Sequence, residues 1–210
     1  MKHFDERFLK MATVWKPNSP AAESFKAIRA TIDVMNIHGH KSILITSTKE
    51  GEGKSLIAAN LATAFAQSGK NTIYIDCNLR KPAGHLAFHL SNKEGLTNFL
   101  LGESKLTSII QKADIDKLYV ITAGSIVSNP AELIASRRLK LLIEKLTAKA
   151  DYVIVDSPSL TVADSTSLAA ISDASLLVVN INKCTKNEVR KASNQLNLSS
   201  NHVLGIVGNE

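Results

Sequence analysis

The sequence predicts an α/β protein, a doubly wound, mainly parallel sheet with helices on both faces. Three observations predict it. Short apolar runs alternate with helical patterns along nearly the whole chain. Hydrophobic residues make up 44% of the chain but aromatics only 5%, so Leu, Ile, Val and Ala fill the core, as suits a sheet covered by helices. A length of 210 residues fits one ordinary domain with a short appendage.

Each element follows in order. Residues 1–19 carry charges, Pro17 and no helical periodicity, and are expected to be a flexible N-terminal arm before a domain over 20–210. From Pro20, Phe25, Ile28, Ile32 and Met35 recur at helical spacing. Strands are expected at 42–46, 71–76, 117–122, 152–156, 174–181 and 202–207, with helices at 54–69, 131–150, 164–172 and 185–198 between them. In such a fold the ligand sits beyond the carboxyl ends of the strands.

Composition narrows the function. No apolar run approaches the roughly 18–20 residues a membrane span needs. The charged, proline-broken beginning does not read as a signal peptide. Cys77 and Cys184 are isolated thiols, which suits a reducing cytoplasm. Lys and Arg number 25 against 19 Asp and Glu, but the excess is scattered. That favours an anionic ligand and gives no reason to expect nucleic acid.

The first expected strand runs into "TSTKEGEGKS" (46–55) and then a helix. Gly51 and Gly53 let the backbone curl its N–H groups around phosphate oxygens, and the helix N-terminus adds partial positive charge. Lys54 can reach the outer phosphates, and the Ser55 hydroxyl can hold a Mg²⁺ ion bridging them. With Glu52, these residues form the expected phosphate loop, a P-loop, although Thr48 stands where the strict G-x-x-x-x-G-K-[ST] pattern has glycine. Two further strands end in carboxylates, "IYID" at Asp76 and "YVIVD" at Asp156. A carboxylate there can hold metal or accept a proton from an attacking hydroxyl. The fold class is therefore P-loop NTPase-like.

"STKEGEGKS", "IYIDCNLRKP" and "YVIVDSPS", in that order, resemble the Walker A, A′ and B motifs of the bacterial tyrosine kinases of capsule and exopolysaccharide synthesis. The resemblance continues through "ESFKAIRATI", "GLTNFLLGE", "AGSIVSNPAELIAS", "ADSTSLAAISDASLLVV" and "LGIVGN", covering roughly residues 20–209. It implies ATP and Mg²⁺ as ligands, with catalytic roles for Lys54, Asp76 and Asp156 and metal binding by Ser55, Asp76 and Asp156. It also implies Asn209 beside the adenine, and Glu23, Lys26 and Arg29 at an interface between copies in a ring or dimer. The implied setting is cytoplasmic. A transmembrane activator of the polysaccharide co-polymerase type would recruit the kinase to the inner face of the plasma membrane, and protein tyrosines would be its substrates.

Three departures from the family pattern matter. Asn78 replaces the second acid of the usual D-x-D in Walker A′, removing a charge that would help hold Mg²⁺ or activate tyrosine. The family's tyrosine-rich tail is not part of this sequence, whose tyrosines are Tyr74, Tyr119 and Tyr152, two of them in expected core strands. Lys49 occupies the signature-lysine position of the deviant Walker A ATPases of the MinD and ParA type, where that lysine reaches across a dimer. Besides a tyrosine kinase, the residues therefore leave open a dimeric ATPase switch and an ATP-binding scaffold with a degenerate kinase site.

Overall fold

The structure is a computed structural model and describes residues 11–36, 38–199 and 202–210. Its elements, in chain order, begin with α1 (Ala12–Trp15), α2 (Pro20–Met35), β1 (Ser42–Ser47), α3 (Lys54–Gln67), β2 (Thr72–Asp76) and α4 (Gly84–Ala87). There follow α5 (Leu96–Leu101), α6 (Leu106–Ile109), β3 (Ile110–Lys112), β4 (Leu118–Ile121), α7 (Pro130–Ile134) and α8 (Arg137–Thr147). The chain closes with β5 (Tyr152–Asp156), α9 (Ala163–Ala169), β6 (Ala174–Asn180), α10 (Lys186–Leu198) and β7 (His202–Asn209). One seven-stranded sheet has the order β3-β4-β2-β5-β1-β6-β7, parallel throughout except that β3 is antiparallel to β4.

The pleat divides the core in two. On β1, Leu44 faces one cluster while Ile43 and Ile45 face the other; on β5, Val153 and Val155 oppose Tyr152 and Ile154. The first cluster is closed by α5–α10, the second by α1–α4. This is why β1, β2, β5 and β6 read as unbroken apolar runs: they are covered on both faces, whereas the edge strand β7 is half exposed. Each fully buried Ile or Leu contributes about 1.5–3 kcal/mol relative to exposure.

Local chemistry sets the boundaries. Ser19 caps α2, its hydroxyl accepting the N–H of Ala22 at 3.2 Å, with Pro20 at the first helical position. The helix expected over 131–150 is instead two, because Ser136 takes extended backbone and its hydroxyl accepts the N–H of Leu139 at 3.3 Å to start α8. The first ten residues of the expected arm lie outside the described residues. The rest of it includes α1, seated on α3: the Thr13 N–H and hydroxyl both donate to Asn60 Oδ1, at 3.1 and 2.9 Å, and Met11 is buried. No helix among the described residues is long and apolar enough to cross a membrane.

Candidate active site

β1 delivers the chain to the loop 48–53, and α3 starts at Lys54, with Lys54 and Ser55 both buried. Gly51 and Gly53 sit at φ +80° and +84°, left-handed backbone that favours glycine. At Gly53 a Cβ would collide with the side-chain amide of Asn209, which donates to the Glu52 carbonyl at 2.9 Å. Glu52 itself turns inward. Its carboxylate accepts the Thr48 hydroxyl (2.8 and 2.9 Å), the Lys49 N–H (2.8 Å) and the Asn180 N–H (3.1 Å). Only the backbone of Glu52 is thus left to face a ligand, and the side chain ties the loop to β6.

The two strand-end carboxylates meet at the head of α3. Asp76 and Asp156 are direct register partners on β2 and β5, and both are fully buried. Asp76 Oδ1 accepts the Asn78 N–H at 3.1 Å, and Oδ2 accepts the N–H groups of Ala83 (2.9 Å) and Gly84 (2.8 Å). Asp156 Oδ2 accepts the Tyr74 hydroxyl at 2.8 Å, while its Oδ1 is buried without a hydrogen-bond partner. Burial pushes both carboxyl groups above the ordinary carboxylate range. The Asp156 charge raises Asp76 further, and three backbone N–H groups offset part of that. Lys54 foremost, then the Ser55 and Tyr74 hydroxyls, pulls Asp156 back down. The orphaned, buried Asp156 oxygen and the Ser55 hydroxyl beside it are oxygen donors of the kind a hard divalent cation takes, so Mg²⁺ fits them, while the Lys54 ammonium is left to pair with phosphate.

The cleft in front is lined by Lys54, Asn78, Arg80, Ser159 and Val162, and its mouth is bridged by an ion pair between Lys81 and Glu50. Asn78 thus lines the place where the family has its second acid. Arg80 is held by Asp164 of α9 through two hydrogen bonds of 2.8 and 3.2 Å, which fixes the loop after β2. Lys49 pairs with Glu188 of α10 in the same chain, at 2.7 Å. Glu23, Lys26 and Arg29 lie apart from the cleft on α2. Lys26 pairs with Glu23 at 2.8 Å, and Arg29 pairs with Asp33 at 2.9 Å.

Two residues of the site were not anticipated. Tyr74 stands two residues before Asp76, hence on the same face of β2. Period two alone would have placed its hydroxyl beside the carboxylates. Gly84 has no such signal: its N–H holds Asp76, and any Cβ there would press on the Tyr74 ring.

A parallel sheet, a glycine-turned phosphate loop running into α3 and two acids at neighbouring strand ends define a P-loop nucleotide-binding domain. Residues 40–203 match the AAA domain family. Tyrosine-protein kinase YwqD of Bacillus subtilis (strain 168) is 41% identical over 92% of this chain and 83% of its own length. Tyrosine-protein kinase CpsD of Streptococcus agalactiae is 34% identical over 90% of this chain and 82% of its own. The chain belongs to the bacterial tyrosine kinase family. Among solved structures, the chimerical protein CapA2B2 superposes with a TM-score of 0.90 at 38% identity, covering 95% of this chain and 88% of that one. The kinase domain of Escherichia coli tyrosine kinase ETK also gives 0.90, at 30% identity over 95% and 79%. The cell division ATPase MinD of Pyrococcus furiosus is more distant, at 0.71 and 26% identity over 81% and 72%.

Proposed function

We propose that this protein is an ATP- and Mg²⁺-dependent protein-tyrosine kinase serving capsule or exopolysaccharide synthesis. The observation that carries the reading is the buried pair Asp76–Asp156, with one unpartnered Asp156 oxygen, set against Lys54 and Ser55 at the end of the phosphate loop. Lys54 and the loop N–H groups would hold the β and γ phosphates in line, and Ser55 with Asp156 would hold the metal. When bound, Mg²⁺ would neutralise charge on the transferring phosphoryl group. Asp76 already accepts three N–H groups, leaving about one of its four acceptor positions. That position would orient an incoming tyrosine hydroxyl and take up its proton. Most of the catalysis is then positioning and electrostatics. Neither Tyr74 nor Tyr152 is available as acceptor: both are buried, and their hydroxyls donate to Asp156 and Asp33. Tyr119 on β4 is exposed, so the substrate tyrosine would be Tyr119 or one supplied by another protein.

The partners follow from the same reading. A transmembrane activator would bring the kinase to the inner face of the membrane, and Glu23, Lys26 and Arg29 would meet the next copy in a ring or dimer. Asn78 favours a second reading, an ATP-binding scaffold that transfers little phosphate, because an amide lines the cleft where the family has an acid. Incubation with Mg–ATP and a tyrosine-rich acceptor peptide, read by mass spectrometry, separates the two. Phosphotyrosine from wild type, lost in Lys54→Ala, supports the kinase. Silence in wild type with signal in Asn78→Asp supports the scaffold.

A further inference from the structure

We infer that the outer face of α8 is a docking surface for an anionic lipid bilayer. The inner side of this helix, Leu139, Leu142, Ile143 and Leu146, is buried in the core. Its outer arc carries Arg137, Arg138, Lys140 and Lys145 against a single acid, Glu144, and Lys149 follows just beyond its C-terminal cap. None of Arg137, Lys140, Lys145 and Lys149 is paired with a carboxylate among the described residues. At helical spacing, Leu141 falls in the middle of this arc, one turn from both Arg137 and Lys145, and it is 52% exposed. Arg138 extends the patch toward α5, its guanidinium lying 4.6 Å above the centre of the Phe99 ring. There the neighbouring Leu101 is 51% exposed.

Cations around protruding leucines suit one partner chemistry. Acidic headgroups attract the Lys and Arg side chains, worth roughly fivefold in partitioning for each one near the surface. The leucines can enter the acyl boundary. A nucleic acid would use the charge but has no use for Leu101 and Leu141. The position also fits. The face belongs to the helix layer opposite α2 and α3, so docking here leaves both α2 and the cleft at the strand ends uncovered. This inference concerns the chain alone and does not depend on its being a kinase.

The test is sedimentation of the nucleotide-free protein with vesicles of phosphatidylglycerol and phosphatidylcholine, without any activator. Wild type should pellet at low salt, release as salt rises, and stay in solution with phosphatidylcholine alone. Lys140→Glu with Lys145→Glu should weaken the partitioning at least tenfold. An equal charge change on α10, Lys186→Glu with Lys191→Glu, should change it less than threefold. Leu141→Ser should weaken vesicle binding while leaving binding to a duplex oligonucleotide unaltered. Circular dichroism establishes that each variant is folded. Failure of wild type to pellet, equal losses from the α8 and α10 variants, or tighter binding to the duplex than to vesicles overturns the inference, the last in favour of a nucleic-acid surface.

Discussion

Two acids forced together out of water are costly, and Asp76 and Asp156 are held there by neighbours that do other jobs as well. Replacing Asp156 by Asn removes one of the buried charges while keeping an acceptor for the Tyr74 hydroxyl. In metal-free buffer at pH 8 the variant is expected to melt about 2–4 °C higher than wild type, a gain on the order of 1 kcal/mol. Its Mg–ATP-dependent phosphotransfer should be lost; a lower melting temperature would show that the attraction of Asp156 to Lys54 outweighs its repulsion of Asp76. Gly84→Ala acts in the opposite sense, since its methyl meets Tyr74 and displaces an N–H that holds Asp76. Overpacking of this kind costs about 1–3 kcal/mol, readable as a shifted urea midpoint. At this scale the sequence displayed what is local: a lysine after two glycines, and an acid at the end of each apolar run. It could not display the inward turn of Glu52, whose partner, the N–H of Asn180, lies 128 residues away. The Asn209 bond to the Glu52 carbonyl, 157 residues away, was hidden for the same reason.

Elements were more legible than their ends. Every one of the six expected strands is present: β1, β2, β5 and β6, buried on both faces, announce themselves as apolar runs, and β4 and β7 keep enough apolar residues to show although each is partly exposed. The short helices α4–α6 and the antiparallel strand β3 carry too few residues for a period to show. The split before α8 rests on one serine cap. The docking of α1 rests on one asparagine: Asn60→Ala leaves the buried Thr13 N–H and hydroxyl without their acceptor, an expected loss of about 1–3 kcal/mol in chemical denaturation. A pH effect belongs to the approach to β1, where His40 lies against His38 and the edge-strand His202, with Asp173 also facing it. Burial first, then the two histidines, lowers the His40 pKa below 6.5, and Asp173 only partly opposes this. The unfolded chain therefore takes up a proton more readily, and stability present above about pH 6.5 declines as the pH falls through the lowered value. Between pH 7.5 and 5.5 wild type should lose more melting temperature than His40→Gln.

As a whole, the molecule keeps its surfaces apart: the cleft at the strand ends, α2 on one helix layer and α8 on the other. Glu23 is 60% exposed on α2. Reversing it with Glu23→Lys should lower the assembled mass in light scattering while changing stability by no more than about 0.5 kcal/mol. An unchanged mass would remove this helix from the interface. The topology has one more consequence, and it concerns timing. The phosphate loop is complete early in the chain, yet it is braced by Asn180 at the end of β6 and by Asn209 at the end of β7. A nascent chain emerging from the ribosome therefore has every motif residue exposed long before it has a rigid nucleotide pocket. Its last brace, the Asn209 bond to the Glu52 carbonyl, arrives only with the final strand.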